Sequence, residues 1–413
     1  MNLDVNQARL NAELDKLASF SEAPAPAVTR ILYTEQDLAA RAYFKDLCLE
    51  AGLELRVDAL GNTYARWQGS EPNLAAVATG SHIDAIPYAG MYDGTVGVLG
   101  GLEAIRALQK SGFTPKRSLE LILFTAEEPT RFGVGCLGSR VMSGVLGTQG
   151  LESLKDNEGK TPNEARQAAG FQGQLSDVRL PEGFYHAFVE LHIEQMPQLE
   201  QKGIPIGVVT AIAAPATLHI RLEGAGGHAG AVLMPDRKDA LICGAEIAQT
   251  IETIALSTGS IDSVATVGIF DIHPRAVNSI PSKVFMTVDV RDTDLARRDG
   301  MVEAIKDAVR SISGGRKLKA VIETLNADPP ASCAREITEA TELAAREYGL
   351  RTLPMVSRAY HDALFMARLC PTGMIFIPCK DGVSHRPDEY SKPEDIERGV
   401  KVLASVLARL SMS

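Results

Sequence analysis

Three short apolar runs in this chain each end in chemistry-bearing side chains, and that repetition limits the fold more than any other feature. Residues 74–79 (LAAVAT) run on to His82 and Asp84, residues 119–125 (LELILFT) lead into Glu127 and Glu128, and residues 186–194 (HAFVELHIE) close on His192, Glu194 and Gln195. Runs this short, apolar and bounded by turn residues read as strands buried on both faces. They alternate with helical segments, which predicts an α/β layer on a mixed, largely parallel sheet. Open sheets of this class place their chemistry beyond the C-terminal ends of the strands.

The rest of the chain fits around that frame. Helices are expected over 5–20 and 34–51, the second opened by a T-x-x-D cap at Thr34 and Asp37 and stopped at Gly52. A hairpin follows, LELRVD and NTYARW about a Gly61-Asn62 turn. After the first apolar run, a loop containing Pro87 and Gly90 leads to Asp93 and a helix over 95–110. From about Gly207 the order becomes β-α-β-β-α-β, the split βαβ, ferredoxin-like pattern. After Pro329-Pro330 the α/β rhythm resumes, with GMIFIP at 373–378 as a further strand and a helix at 393–410. The chain therefore divides into a first domain, 1–207 and 328–413, with a second, 208–327, inserted.

Composition excludes several classes. A net charge of −10 lacks the footprint of a nucleic-acid binder. No uninterrupted apolar stretch is long enough to span a bilayer, and the charged opening segment carries no secretory pattern. Six scattered cysteines without a C-x-x-C pair read as the reduced thiols of a cytoplasmic protein.

The strand-end residues suit metal chemistry. In an extended segment residues two apart point the same way, so Asp84 can sit beside the His82 imidazole and fix its tautomer. His82, His192 and His385 each follow a core strand closely, and with Asp93 and Glu128 they form a mixed imidazole and carboxylate set that suits two divalent ions sharing one carboxylate. The adjacent Glu127 and Glu128 point in different directions, so one can bind metal while the other handles protons. Taken singly, each motif is equally compatible with an ordinary polar turn.

Together, H-x-D at 82–84, the Asp93-Gly94 turn, A-E-E at 126–128, L-H-I-E-Q at 191–195, G-G-H-A-G at 226–230, N-S-I-P at 278–281, D-V-R-D-T at 289–293 and S-H-R-P-D-E at 384–389 resemble the hydantoinase/carbamoylase branch of the M20 dimetal amidohydrolases. The resemblance covers essentially the whole chain. It implies an aminopeptidase-like catalytic domain with an inserted lid and dimerisation domain, and two divalent ions per subunit, Mn2+ or Zn2+ with Co2+ or Ni2+ as alternatives. His82, Asp93 and His192 would hold one ion; Asp93, Glu128 and His385 would hold the other. Glu127 would be the general base and His228 an oxyanion-stabilising group, while Gln195, Asn278, Arg291 and His361 would line the substrate site. Without the resemblance, His228 reads as a loop residue and Arg291 as an edge charge.

Residues 356–368 (VSRAYHDALFMAR) and 373–379 (GMIFIPC) look more like ureidoglycolate amidohydrolases than N-carbamoyl-L-amino acid hydrolases. Tyr360 stands where the latter carry Gly, and a phenol there should shrink the pocket and favour a small polar ureido substrate bearing a carboxylate. Allantoate and N-carbamoyl-L-amino acids are the alternatives within the same chemistry; a dipeptidase and a non-catalytic ureide-binding protein stand outside it. A homodimer is the expected assembly.

Overall fold

A computed structural model describes residues 3–413. The described residues divide into two compact units, the first comprising residues 3–210, 332–355 and 361–413 and the second 211–331 and 356–360.

In the first unit, four adjacent parallel strands form the centre of a nine-stranded sheet: Leu119–Leu123, Ala76–Ser81, Tyr185–Ile193 and Thr372–Ile377. Nearly every residue in these strands is buried, which is why the sequence shows continuous apolar runs rather than alternation. Only this centre is parallel. Thr63–Trp67 and Glu54–Val57 add antiparallel on one side and Ile206–Ile212 on the other, so the sheet is less parallel than the sequence predicts. Pairing along these strands is what aligns the ends of the four central ones, with Gly80 opposite Ile122 and Ile193 opposite Ile377.

Helix Thr95–Lys110 lies deep against this sheet because its glycines leave no side chain on the contact face. A Cβ at Gly97 would come 2.5 Å from the Leu191 carbonyl, and one at Gly101 would come 2.8 Å from the Leu121 side chain. Close approach buries Val98, Leu99, Leu102 and Leu108, each stabilising by roughly 1.5–3 kcal/mol. The C-terminal helix Pro393–Met412 completes the layer, and it too meets the sheet at a glycine, Gly399, against Ile377.

Two parts of this unit differ from the sequence reading. The expected loop around Pro87 is a strand, Ala85–Ala89, paired antiparallel with Val28–Arg30. Proline is tolerated there because the pair is only two strands wide and irregular in register. Three short helices, Leu137–Met142, Thr148–Ser153 and Pro162–Ala168, occupy a stretch in which no element was expected.

The second unit is a four-stranded antiparallel sheet in the order Val264–His273, Lys283–Asp292, Ala214–Glu223, Lys319–Ala327. Helices Ala240–Ser257 and Leu295–Gly315 cover one face, giving the ferredoxin-like arrangement. Strand Lys283–Asp292 alternates strictly between buried and part-exposed positions, the signature of a sheet covered on one side. It is flanked on both sides, so Arg291 is not the edge charge that the sequence alone allowed. Helix Ala240–Ser257 is long and apolar enough to cross a membrane by length and composition, though Glu246, Gln249 and Glu252 interrupt its apolar run. Cys243, Gly244, Ile247 and Ile251 are spent on the sheet, and Glu246, Gln249 and Glu252 lie on its open side.

Candidate active site

The four central strands deliver the candidate ligands in one place. His82 follows Ala76–Ser81, Glu127 and Glu128 follow Leu119–Leu123, His192 lies near the end of Tyr185–Ile193, and His385 lies in the loop after Thr372–Ile377. Asp93 sits just ahead of helix Thr95–Lys110, beside Gly94. That glycine has φ +67°, and a Cβ on it would lie 2.4 Å from His82 Nε2, so no other residue fits without displacing the imidazole.

Asp93 is the hub. Its Oδ1 lies 3.4 Å from His82 Nε2 and 3.2 Å from His192 Nε2, while its Oδ2 lies 3.3 Å from His385 Nε2. His385 Nε2 is in turn 3.2 Å from Glu128 Oε1. Donor atoms of His82, Asp93 and His192 lie within 4.8 Å of one another, as do those of Asp93, Glu128 and His385.

These separations fit cation sites. Donors about 2.0–2.1 Å from a tetrahedral ion lie about 3.4 Å apart. The tautomers agree: His82 Nδ1 donates to the Asp84 carbonyl at 3.0 Å and His192 Nδ1 donates to the Ile193 carbonyl at 2.9 Å. Each therefore turns its Nε2 toward a carboxylate oxygen, which places between them either a shared proton or, in its stead, a cation. Burial pulls the His82 and His192 imidazolium forms down, but the facing carboxylates outweigh it and both pKa values are raised. Hydrogen bonds with Asp93 and Glu128 raise that of His385 to about 11. The site thus draws positive charge.

Glu127 stands apart from both donor groups. Its Oε2 is 3.7 Å from His82 Nε2, and the Cys136 thiol faces its Oε1 at 3.6 Å. Burial pushes its carboxyl well above the usual range; Glu128, Asp362 and Asp93 add to the shift and His82 opposes it. A buried carboxyl held in this way can accept and return a proton near neutrality.

Asp84 acts differently from the sequence expectation. The group fixing the His82 tautomer is its backbone carbonyl; its carboxylate lies 3.7 Å from the ring nitrogen and instead accepts the backbone N–H groups of Glu127, at 3.3 Å, and Glu128, at 2.9 Å. It anchors the Glu-Glu turn, whose Ala126 has φ +54°. Gln195, also left-handed at φ +57°, donates to Asp93 Oδ2 at 2.7 Å, and its Oε1 is buried without a hydrogen-bond partner. His361 is buried with its ring 4.4 Å from that of His192. Glu190, His192 and His361 also cluster, but both Glu190 oxygens already accept hydrogen bonds, from Ser81 and from the Ala363 N–H. The Glu190 charge also helps to raise the His192 pKa.

The remaining four residues belong to the second unit. His228 lies in the short strand Gly227–His228 paired with Ser279–Ile280, and the Asn278 carbonyl accepts the Ala229 N–H, so His228 and Asn278 are neighbours. His228 is exposed, with Nδ1 accepting from the Gly230 N–H. Arg291 Nε donates to Asp289 at 2.7 Å, Nη1 donates to the Arg358 carbonyl, and the guanidinium sits 5.9 Å from the centre of the Tyr360 ring.

The family model of peptidase family M20/M25/M40 matches residues 78–409, most of the chain. The chain belongs to this family. Among its M20/M25/M40 relatives, the ureidoglycolate hydrolase of Arabidopsis thaliana is 53% identical over 100% of this chain and 88% of its own length. The N-carbamoyl-L-amino-acid amidohydrolase of a Pseudomonas strain is 34% identical over 97% of each chain. The crystal structure of AtUAH in complex with (S)-hydroxyglycine superposes with a TM-score of 0.91 at 53% identity, covering 99% of this chain and 98% of that one. Sequence reasoning passed over three residues that touch the candidate site: Cys136 beside Glu127, Ser384 beside Asp93, and Glu389 on the Asp93 and His385 N–H groups. The last two lie inside the quoted S-H-R-P-D-E motif, where their proximity to His385 was the available signal.

Proposed function

We propose that this M20 protein is a metal-dependent amidohydrolase acting on a small ureido substrate, ureidoglycolate first, converting it with one water to glyoxylate, two ammonia and carbon dioxide. The observation that carries the reading is the division of Asp93, with one oxygen toward His82 and His192 and the other toward His385 beside Glu128. His82, Asp93 and His192 would hold one divalent ion and Asp93, Glu128 and His385 a second, Mn2+ or Zn2+ with Co2+ or Ni2+ as alternatives. Bound there, such ions supply Lewis acidity and lower the pKa of water toward neutrality.

Glu127 takes the proton of the attacking water and passes it to the leaving nitrogen. Lone-pair donation from two nitrogens makes a ureido carbonyl a poor electrophile, so both the proton transfer and a group stabilising the developing oxyanion matter. We assign the latter to His228. Arg291 and Asn278 are assigned to the substrate carboxylate, the guanidinium by its two-pronged fork, with Tyr360 limiting substrate size. Gln195 and His361 border the metal ligands, and Gln195 Oε1 is a buried acceptor suited to a substrate N–H.

The higher identity to the ureidoglycolate hydrolase than to the carbamoyl amino acid enzyme supports the substrate. Glu127, a base outside both donor groups, argues for catalysis over a binding protein with structural metal. The second unit is read as a lid and dimerisation domain, and the six free cysteines suit a cytoplasmic setting.

The test is ammonia release by Mn2+-reconstituted protein, with ureidoglycolate, allantoate and a panel of N-carbamoyl-L-amino acids compared by kcat/KM. Preference for ureidoglycolate supports the proposal. Preference for carbamoyl amino acids keeps the chemistry and overturns the substrate; no release from any of them overturns both.

A further inference from the structure

The two loops that carry Asp93 and His385 are far apart in sequence, and a single buried carboxylate spans them. Glu389 Oε1 accepts the backbone N–H groups of Tyr92 at 2.9 Å and Asp93 at 3.0 Å. Its Oε2 lies 2.9 Å from the Ser384 hydroxyl and accepts the His385 N–H at 3.3 Å. The Ser384 hydroxyl is also 2.8 Å from Asp93 Oδ2, so its one proton lies between two carboxylates. Glu389 is 4% exposed.

We infer that Glu389 is a positioning residue that sets the spacing between Asp93 and His385, and so controls cation binding at the Asp93, Glu128 and His385 group. Both of its oxygens accept hydrogen bonds, and it belongs to neither donor group. Three of its four donors are backbone N–H groups, two belonging to candidate ligand residues. The carboxylate thus fixes main chain, which no neighbouring side chain can replace. The other group shares Asp93, but its His82 and His192 are held by carbonyls that Glu389 does not touch.

A second feature provides an independent handle. A Cβ at Gly90 would lie 2.3 Å from Glu389 Cβ and 2.5 Å from its Oε1. Gly90→Ala therefore displaces the Glu389 side chain while leaving its charge in the protein.

The inference rests on the reading of the site as a metal centre, and the experiment separates the two. Mn2+ is titrated into the chelated full-length protein and followed by EPR, which reports free ion and the coupled spectrum of a close Mn pair. Wild type, Glu389→Ala, Glu389→Gln and Gly90→Ala are compared, with melting of the metal-free proteins as a check on folding. Groups supporting metal ligands are typically worth about 10–100-fold in metal affinity. Glu389→Ala and Gly90→Ala should weaken the second Mn2+ by that factor and suppress the coupled spectrum, and weaken the first ion less, since Glu389 holds two members of the second group and only Asp93 of the first. Glu389→Gln, which keeps one acceptor oxygen for Tyr92 and Asp93, should fall between.

Equal weakening of both ions, or two ions bound at wild-type affinity by Glu389→Ala or Gly90→Ala, would overturn the inference alone. A wild type that binds no Mn2+ would overturn the metal-centre reading beneath it.

Discussion

Replacing Glu127 by Gln isolates the proton-transfer step from metal binding. The change conserves size, and Glu127 belongs to neither donor group, so both groups keep every member. What is lost is the basic oxygen and one negative charge among Glu128, Asp93 and Asp362. Positioned general bases contribute about 100- to 10,000-fold, which is about 3–5 kcal/mol of transition-state stabilisation. The expected result is a fall in kcat of that size with KM little changed, because the base acts in the transition state and not in the bound ground state. The assay pairs ammonia release under saturating ureidoglycolate with metal analysis of the same desalted sample. Turnover within tenfold of wild type at full metal content would refute the base assignment. Loss of metal along with activity would refute the argument that Glu127 stands outside the ligand set.

Three further outcomes follow from the geometry. Gly94→Ala, which would put a Cβ 2.4 Å from His82 Nε2 at φ +67°, should abolish binding at the His82 group and destabilise the protein by more than about 1 kcal/mol; Mn2+ titration and denaturant melts check it, and unchanged affinity would count against it. Tyr360→Gly should raise kcat/KM for bulky N-carbamoyl-L-amino acids relative to ureidoglycolate, and an unaltered profile would sink the size-selection argument. Metal-free protein should lose stability as pH rises. His385, whose folded pKa is raised from 6.5 to about 11, binds more protons in the native state across that window, so its contribution is whole below 6.5 and declines toward 11. Chelated samples should therefore show Tm falling over the window more steeply than Mn2+-loaded ones, and parallel pH profiles would contradict this.

Much of the site was legible because its residues are local to buried strands. An apolar run ending in His or Glu announces both the strand and the side chain at its tip, and His82, Glu127, Glu128 and His192 were found that way. What stayed hidden depends on tertiary placement. Asp84 has the right spacing to reach the His82 ring, yet the Glu127 and Glu128 N–H groups compete for its carboxylate, and spacing along one strand contains no information about a neighbouring turn. Pro87 argues against a strand on local grounds, and only the partner Val28–Arg30 makes Ala85–Ala89 one. Helices of six or seven residues, such as Leu137–Met142, are too short for a helical period to register.

The insertion of the second unit bears on how the site forms. His192 ends the strand Tyr185–Ile193 before the chain enters that unit, and His385 follows the strand Thr372–Ile377 after it returns, yet these strands pair in parallel with Ile193 opposite Ile377. Both candidate cation groups include Asp93, but only the Asp93, Glu128 and His385 group needs this pairing of segments from either side of the insertion. The His82, Asp93 and His192 group is complete within the first continuous stretch of the chain. The two groups therefore differ in what must fold before they exist, and the one that depends on the later strand is the one bracketed by Glu389. A group assembled across a long chain excursion gains most from a buried carboxylate that ties its two halves through main-chain hydrogen bonds, since closing such a loop carries an entropic cost that local contacts do not.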